Sequence, residues 1–335
     1  DFNGVNSTMH VALNGSGGTF QLSNPYIIGG NRIFTLTAGT FDANGKLITL
    51  SGGGATLHGF AGNFTGSSSL YDLTITGGVE KTGTISLGGD ITVTHTLIIN
   101  GNSATNRVLI FSSVIGTPRT VTIGAGATQS ITNTDFKDIV LYNTDTAGAN
   151  VNLSAIAGGS GNCGGNTGIT FTTADVWYWY ADTGSFSSQL LWFTATGGAG
   201  GGGTRIDSDA RNAKVILPQD TLVFDDLSFT AGSKTVTQDM PRIGTTTFLG
   251  DDGAHAVTNV PTFTTSTTAS VFGSLTLASS TLMTLTASTQ TYTFEGRDVG
   301  MPVGGWTLTS GAGNTWAKTV TMFCYGATLR WGDNF

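Results

Sequence analysis

Short runs in which apolar residues alternate with Thr, Ser or Asn recur along most of the chain. An alternation of period two is typical of a β-strand with one buried face. Asn-Gly and Gly-Gly steps, such as Asn44-Gly45 and Gly77-Gly78, separate the runs and suit the positive φ of tight turns. The pattern predicts strands at Phe34–Ala38, Lys46–Leu50, Leu70–Thr76, Thr84–Leu87, Ile91–Val93, Thr96–Asn100, Val108–Phe111, Thr120–Ile123, Ile139–Leu141, Thr221–Phe224, Lys234–Thr237, Thr246–Leu249, Ser270–Leu277, Met283–Thr286, Thr291–Phe294, Trp306–Thr309 and Thr319–Phe323.

The same phrase of turn, strand, turn, strand returns at residues 34–52, 70–89 and 274–290. Irregular repeats of roughly 20–30 residues with strands and no helices predict a β-solenoid, in which each coil buries its apolar face on the next. We therefore expect an all-β fold, an elongated solenoid resembling a parallel β-helix. Stacked β-sandwich domains are the alternative, favoured if the strands pair antiparallel through the Asn-Gly turns.

Composition supports strands and excludes several functions. Glycine accounts for 50 of 335 residues, charged residues make up only 10%, and Glu80 and Glu295 are the only glutamates. The hydrophobic fraction of 39% excludes a disordered chain. A net charge of −7 without clustered Lys or Arg argues against nucleic-acid binding. No apolar run approaches the ~20 residues of a membrane span.

Low charge with abundant Thr, Ser, Asn and Gly is typical of exported proteins, so we expect a location outside the cell, at its surface or in a virion. The chain begins at Asp1, which indicates a processed or fragmentary product. The organisation predicted from glycine density is a first run of coils at 1–172, an aromatic and glycine-rich junction at 173–230, and a second run of coils at 231–335. An uncapped end of such a stack exposes unpaired backbone groups and favours self-association into a fibre or filament.

The central part of the chain carries several distinctive phrases. They are Asn-Cys-Gly-Gly-Asn at Asn162–Asn166 with the following Gly-Ile-Thr-Phe-Thr, Trp-Tyr-Trp-Tyr from Trp177, the glycine run Gly197–Gly203, Leu217–Asp225, and Thr235 to Met240-Pro-Arg. With these phrases the chain resembles a repeat-rich β-solenoid module of phage fibre-type proteins and large bacterial surface adhesins. The resemblance covers about half of the chain and implies a structural or adhesive role and no reaction. The chain departs from that pattern at Thr134, where such modules often carry a cysteine that would partner Cys163, and again across Ser185–Trp192.

Five aromatic residues are the candidate ligand contacts, because exposed Trp and Tyr rings stack on the pyranose rings of cell-surface glycans. They are Trp177, Tyr178, Trp179, Tyr180 and Trp192. Alternation along a strand sends Trp177 and Trp179 to one face and Tyr178 and Tyr180 to the other. One pair is therefore expected in the core and the other at the surface.

Aspartates cluster in the same region, and carboxylates in loops are ligands that calcium prefers. The candidate ligands are Asp207, Asp209, Asp225 and Asp226, with Asp220, Asp251 and Asp252 nearby in sequence. Their spacing fits no established calcium loop, so capping of turns by aspartate side chains is the alternative. No other cofactor is predicted.

Catalytic candidates are few. A polysaccharide-degrading solenoid enzyme of the tailspike or lyase type would display carboxylates on adjacent coils, and Asp135 with Asp138, or Glu295 with Arg297 and Asp298, are the compact groups. The second group is also typical of a turn with a surface ion pair. The histidines are scattered, at His10, His58, His95 and His255.

Two further residue types remain open at this stage. Glycosylation sequons occur at Asn6, Asn14, Asn63 and Asn152. Cys163 and Cys324 could form one disulfide or remain two separate, semi-buried thiols. The sequence thus predicts a structural fibre or filament subunit, with a tailspike-type enzyme and a non-catalytic carbohydrate-binding module as the alternatives.

Overall fold

The structure is a computed structural model. The structure describes residues 6–7, 11–28, 34–42, 44, 46–51, 69–146, 149–180, 183–232, 234–249, 259–278, 280, 282–286, 290–296, 307–310, 320–324 and 330–331. The chain divides into two compact units, residues 1–172 and residues 173–335. The predicted junction at 173–230 lies within the second unit.

The first unit contains sixteen strands among its described residues and one 3-10 turn at Thr144–Thr146. The strands are β1 (Asn6–Ser7), β2 (Val11–Gln21), β3 (Tyr26–Ile28), β4 (Phe34–Asp42), β5 (Leu47–Ser51), β6 (Ser69–Thr76), β7 (Thr84–Leu87), β8 (Ile91–Asn100), β9 (Val108–Ser112), β10 (Arg119–Ile123), β11 (Thr128–Thr132), β12 (Thr134–Lys137), β13 (Ile139–Asn143), β14 (Val151–Asn152), β15 (Ser160–Asn162) and β16 (Ile169–Thr170).

The second unit contains fifteen strands among its described residues and two 3-10 turns, at Gly198–Gly201 and Ile206–Ser208. The strands are β17 (Val176–Trp179), β18 (Gly184–Ser185), β19 (Trp192–Phe193), β20 (Thr221–Phe224), β21 (Thr235–Gln238), β22 (Arg242–Ile243), β23 (Thr245–Phe248), β24 (Thr262–Thr265), β25 (Ala269–Val271), β26 (Leu275–Leu277), β27 (Thr284–Leu285), β28 (Tyr292–Gly296), β29 (Thr307–Ser310), β30 (Val320–Cys324) and β31 (Arg330–Trp331).

Parallel pairing dominates both units, and the predicted all-β class is confirmed. The largest sheet of the first unit has the order β1-β3-β5-β6-β8-β10-β13, with β11 also paired to β8. Within the described residues, β17 with β19 is the one antiparallel pair of strands. The sandwich alternative required antiparallel pairing through the Asn-Gly turns, and that pairing is not what these strands form.

The strands of the second unit alternate among three sheets. One sheet has the order β19-β17-β20-β23-β26-β29-β31, the second β18-β21-β24-β27, and the third β22-β25-β28-β30. From β20 to β28 the chain contributes one strand to each sheet in turn and then returns to the first. Each strand therefore pairs with the strand three places later, and the intervening segment supplies the long crossover that a parallel pair needs.

Register between neighbouring strands keeps like residues together. In the first unit Ile75 pairs with Ile99 and Ile99 with Ile131, and all three side chains are buried. The next position forms a polar row, in which the Thr132 hydroxyl donates to the Asn100 side chain at 3.0 Å. Apolar rows fill the interior of the unit, and this core is almost entirely aliphatic.

Turns of neighbouring strands also stack closely. Asn44 adopts a φ of 49°, the positive value that its Asn-Gly step predicts. Gly77 and Gly101 follow neighbouring strands, and a Cβ at Gly77 would lie 2.9 Å from the Gly101 Cα. A Cβ at Gly101 would in turn lie 2.1 Å from the Asn133 carbonyl oxygen. Glycine is therefore required here because the backbones of successive turns touch.

No helix among the described residues has the length and apolar character needed to cross a membrane.

Candidate functional site

The aromatic strand β17 faces two different environments. Trp177 and Trp179 are fully buried, whereas Tyr178 and Tyr180 lie on the opposite face and are half-buried. This is the division that alternation along a strand predicts. The tyrosine face thus retains solvent-accessible aromatic surface, and the tryptophan face does not.

The buried face of β17 belongs to an aromatic cluster at the start of the second unit. Trp179 and Trp192 meet edge to face with ring centroids 5.0 Å apart. Phe224 stacks on Phe248 at 4.1 Å with the rings nearly parallel, because β20 and β23 pair in register at these residues. Phe186 packs against both Trp192 and Phe224. The prediction that Trp177, Trp179 and Trp192 contact ligand is therefore wrong, since all three are core residues with no exposed surface.

A hairpin covers the edge of this cluster. β19 pairs antiparallel with β17, and the chain then returns through the glycine run so that Thr194 donates its N–H to the Thr204 carbonyl at 3.0 Å. Gly198 has a φ of 61°, and a Cβ there would lie 2.3 Å from the Tyr180 ring. The glycine run lets the hairpin close against Tyr180, whose ring also meets Phe193 edge to face.

A buried carboxylate, Asp220, holds the start of strand β17 in place. Asp220 is fully buried and accepts hydrogen bonds from the Trp177 Nε1–H at 3.1 Å and the Arg211 guanidinium at 2.9 Å. The backbone N–H groups of Asp175 and Leu217 also donate to it, each at 2.9 Å. Burial raises the pKa of Asp220, and the donors oppose that rise. The arrangement fixes the start of β17 to the segment before β20.

Arg211 links this anchor to the surface. Its guanidinium lies 2.9 Å from Asp209 and 5.2 Å from the centre of the Trp177 ring. Burial acts to lower the pKa of Arg211, and the hydrogen bonds with Asp220 and Asp209 more than offset it, so the pKa lies above its ordinary value. The sequence pattern does not predict this role, because Arg205 and Arg211 both lie among the same aspartates.

Three of the four candidate calcium ligands, Asp207, Asp209 and Asp225, contact other protein groups. Arg205 donates to Asp207 and holds the pKa of that carboxyl below its ordinary value. Asp209 pairs with Arg211, and buried Asp225 caps a turn by accepting the Leu227 N–H and the Ser228 hydroxyl. Asp226 belongs to no metal-binding group of three or more His, Cys, Asp or Glu side chains, because the described residues contain no such group. Asp225 therefore caps a turn, as the alternative predicts, whereas Asp207 and Asp209 form ion pairs with arginines. Asp251 and Asp252 lie outside the described residues.

The candidate catalytic carboxylates are also buried. Asp135 and Asp138 are each 1% exposed. Asp135 accepts a hydrogen bond of 2.7 Å from the Arg107 Nε–H, and Asp138 accepts the Gly116 N–H at 3.0 Å. Glu295 is buried on β28, so the prediction that it lies in a surface turn is wrong. Arg297 and Asp298 lie outside the described residues.

The Arg107 side chain ties three segments of the first unit together. Besides Asp135, it donates to the carbonyl oxygens of Thr134 and Gly159 at 3.0 and 2.9 Å and to that of Gly158. The two glycines adopt positive φ, which turns their carbonyls toward the guanidinium. Sequence reasoning missed Arg107, because its partners lie 27 to 52 residues away along the chain.

The remaining sequence candidates are dispersed. Asn14 and Asn152 are exposed on strands, the side chain of Asn6 on β1 is outside the described part, and Asn63 is outside it altogether. Of the histidines, His95 is exposed on β8, and the other three lie outside the described residues.

Cys163 is a buried thiol in the first unit, and Cys324 lies on β30 of the second. Thr134 pairs with Ser160, three residues before Cys163. A cysteine at position 134 would be offset from Cys163 by about 10 Å along the strand, beyond the reach of a disulfide.

Comparisons with protein-family models, with curated proteins and with solved structures find no match to this chain.

Proposed function

We propose that the chain is a structural subunit of an extracellular or virion fibre, built as a β-solenoid of stacked coils. The observation that carries the proposal is the in-register parallel pairing of successive strands, exemplified by the row Ile75, Ile99 and Ile131 and by the stacked pair Phe224 and Phe248. Each coil in such a stack contacts only its neighbours, which suits an extended load-bearing element. The repeat-rich modules of phage fibres and surface adhesins, which the sequence resembles, have this role.

Negative-stain electron microscopy of the purified chain tests this function. We expect rods or filaments with the width of one chain or of a few chains side by side. If the ends associate, light scattering should show a particle mass that increases with protein concentration. Uniform globular particles at every concentration would contradict the fibre.

An adhesive surface on this fibre is supported by one observation. Tyr178 on β17 and Tyr180 directly after it lie opposite the buried tryptophans and are half-buried, so each keeps part of its surface exposed to solvent. Aromatic faces of this kind stack on sugar rings. The enzymatic alternative has less support, since Asp135 is enclosed by Arg107 rather than placed in a groove.

Replacing Tyr178 by alanine should abolish the glycan-array signals of the chain, because the change removes a half-buried aromatic ring that could stack on a sugar. Tyr178 is chosen before Tyr180, since the Tyr180 ring also packs against Gly198 in the hairpin. Thr122→Ala, a half-buried strand position in the first unit, is the control and should leave the signals unchanged. Glycan binding that survives the Tyr178→Ala and Tyr180→Ala changes together would remove the adhesive part of the proposal and leave the fibre intact.

A further inference from the structure

Six threonines form a regular array on the second sheet of the second unit. They occupy outward positions on three neighbouring strands, two to a strand, and we call them the threonine face: Thr235 and Thr237 on β21, Thr262 and Thr264 on β24, Thr284 on β27 and Thr286 directly after it. Register places Thr235 beside Thr262 and Thr262 beside Thr284. The Thr286 N–H donates to the Phe263 carbonyl at 2.9 Å, which continues the register by one residue pair.

The hydroxyl groups of the threonine face are not used by the protein. Threonines elsewhere bond internally, as Thr132 does to Asn100 and Thr196 to Asp225. Within the described residues, none of the six hydroxyls of the face has a protein partner. Thr284 and Thr286 are exposed, and the other four are half-buried. The face therefore presents methyl and hydroxyl groups to water in two ordered rows.

The residues between the threonines pack on the inner side of the sheet. Val236 and Phe263 are almost completely buried, and Leu285 is half-buried. Phe263 packs edge to face on Phe248 at 5.3 Å, which connects this sheet to the aromatic cluster. A sheet held in this way fixes the spacing of its outward groups before any ligand arrives, and preorganisation of this kind lowers the entropy lost on binding.

The spacing of the threonines is similar to the spacing of water oxygens on the surface of an ice crystal. Parallel strands lie about 4.7–4.9 Å apart, and alternate residues along one strand are about 6.6 Å apart. Water oxygens on the prism faces of hexagonal ice repeat at comparable distances in two perpendicular directions. All six positions are uncharged, so no side chain orders water in a competing pattern around its own charge. Regularly spaced hydroxyl groups can join the hydrogen-bond network of ordered water, while the threonine methyl groups occupy the spaces between the water molecules.

We propose that the threonine face of the second unit binds ice. The proposal is independent of the fibre function, because it needs only one folded chain. An insoluble polysaccharide also presents regular hydroxyls, but its sugar rings favour aromatic platforms, and the threonine face has none. Ice is accordingly the ligand that this chemistry fits.

Ice-affinity partitioning of the whole chain is the direct test. The protein, mixed with an inert globular reference protein, is held over a slowly growing polycrystalline ice hemisphere, and both are quantified in the ice and liquid fractions. We expect enrichment of the chain in ice, shaping of single ice crystals, and a loss of enrichment of about tenfold for Thr264→Lys, which places a long charged side chain at the centre of the array. The matched control is Thr122→Lys on β10 of the first unit, also a half-buried strand threonine, and it should partition as the unchanged chain does.

Tryptophan fluorescence and thermal melting verify that each variant is folded. If Thr264→Lys does not fold, the conservative double change Thr237→Ser with Thr264→Ser removes two methyl groups and should reduce enrichment while the melting curve is preserved. Exclusion of the unchanged chain from ice to the same degree as the reference protein would overturn the proposal, as would equal enrichment of the Thr264→Lys and Thr122→Lys variants. Retention on microcrystalline cellulose together with exclusion from ice would assign the face to a polysaccharide instead.

Discussion

Replacement of Arg107 by methionine lowers the free energy of unfolding of the first unit by an expected 3–5 kcal/mol, the usual cost of breaking a buried ion pair. Arg107 and Asp135 have side chains only 1% exposed. The change leaves the Asp135 carboxylate buried without its cation. It also leaves the carbonyls of Thr134, Gly158 and Gly159 without the guanidinium as a donor.

Two companion variants separate these effects. Arg107→Lys keeps the charge but loses the planar fork that serves several acceptors at once, so it should fall between the unchanged chain and Arg107→Met. The double change Arg107→Met with Asp135→Leu also removes the unpaired carboxylate, so it should recover part of the lost free energy of unfolding. The recovery is incomplete because the three carbonyl oxygens still lack a hydrogen-bond donor. A single Arg107→Met change with no measurable effect on unfolding would show that the buried pair is not formed in solution.

The two units can be followed separately in one titration. All six tryptophans belong to residues 173–335, so tryptophan fluorescence reports the second unit alone. Far-UV circular dichroism reports both units. Arg107→Met is therefore expected to shift the circular dichroism transition in urea, and the fluorescence transition measures separately any effect of the change on the second unit.

Phe224→Ala has the largest expected effect in the second unit, a loss of about 3–5 kcal/mol, because a buried phenylalanine is truncated and leaves a cavity. The ring contacts several aromatic side chains at once, which are Trp179, Phe186, Trp192, Phe229 and Phe248. None of these rings can move into the space without breaking its own contacts, so little relaxation offsets the loss.

Fluorescence-detected urea unfolding measures this change directly, since Trp179 and Trp192 border the cavity. The control is Leu227→Ala, because the Leu227 side chain is 49% exposed and its truncation should change stability by no more than about 0.5 kcal/mol. Equal effects of Phe224→Ala and Leu227→Ala would contradict the aromatic cluster as the core of this unit.

Much of the fold follows from local pattern. The strand predicted at Thr221–Phe224 is β20, and that predicted at Thr120–Ile123 is β10 with one added residue. Alternation also separated the tryptophans of β17 from its tyrosines. These predictions succeed because the direction of a side chain in a strand depends only on its neighbours in sequence.

What the sequence could not provide is register across the repeats. Arg107 meets Asp135 only because β9 and β12 pair, although 28 residues separate the two side chains along the chain. Glu295 is similar, because the neighbouring Gly-Arg-Asp is typical of a turn while pairing with Phe323 keeps it in β28. The threonine face was hidden for the same reason: Thr-x-Thr occurs throughout this chain, and only pairing shows which copies align.

The unequal spacing of paired strands along the chain has a mechanical consequence for the proposed solenoid fibre. Ile75 and Ile99 are neighbours in one row and 24 residues apart, whereas Ile99 and Ile131 are neighbours in the same row and 32 residues apart. If the proposed solenoid is stretched by its ends, we expect its coils to separate one at a time, since each would be held only by the next. Each release then lengthens the tether by roughly 80–115 Å at about 3.3–3.6 Å per residue. A fibre subunit under tension would thus yield in small, unequal steps and absorb work gradually rather than rupture in a single event.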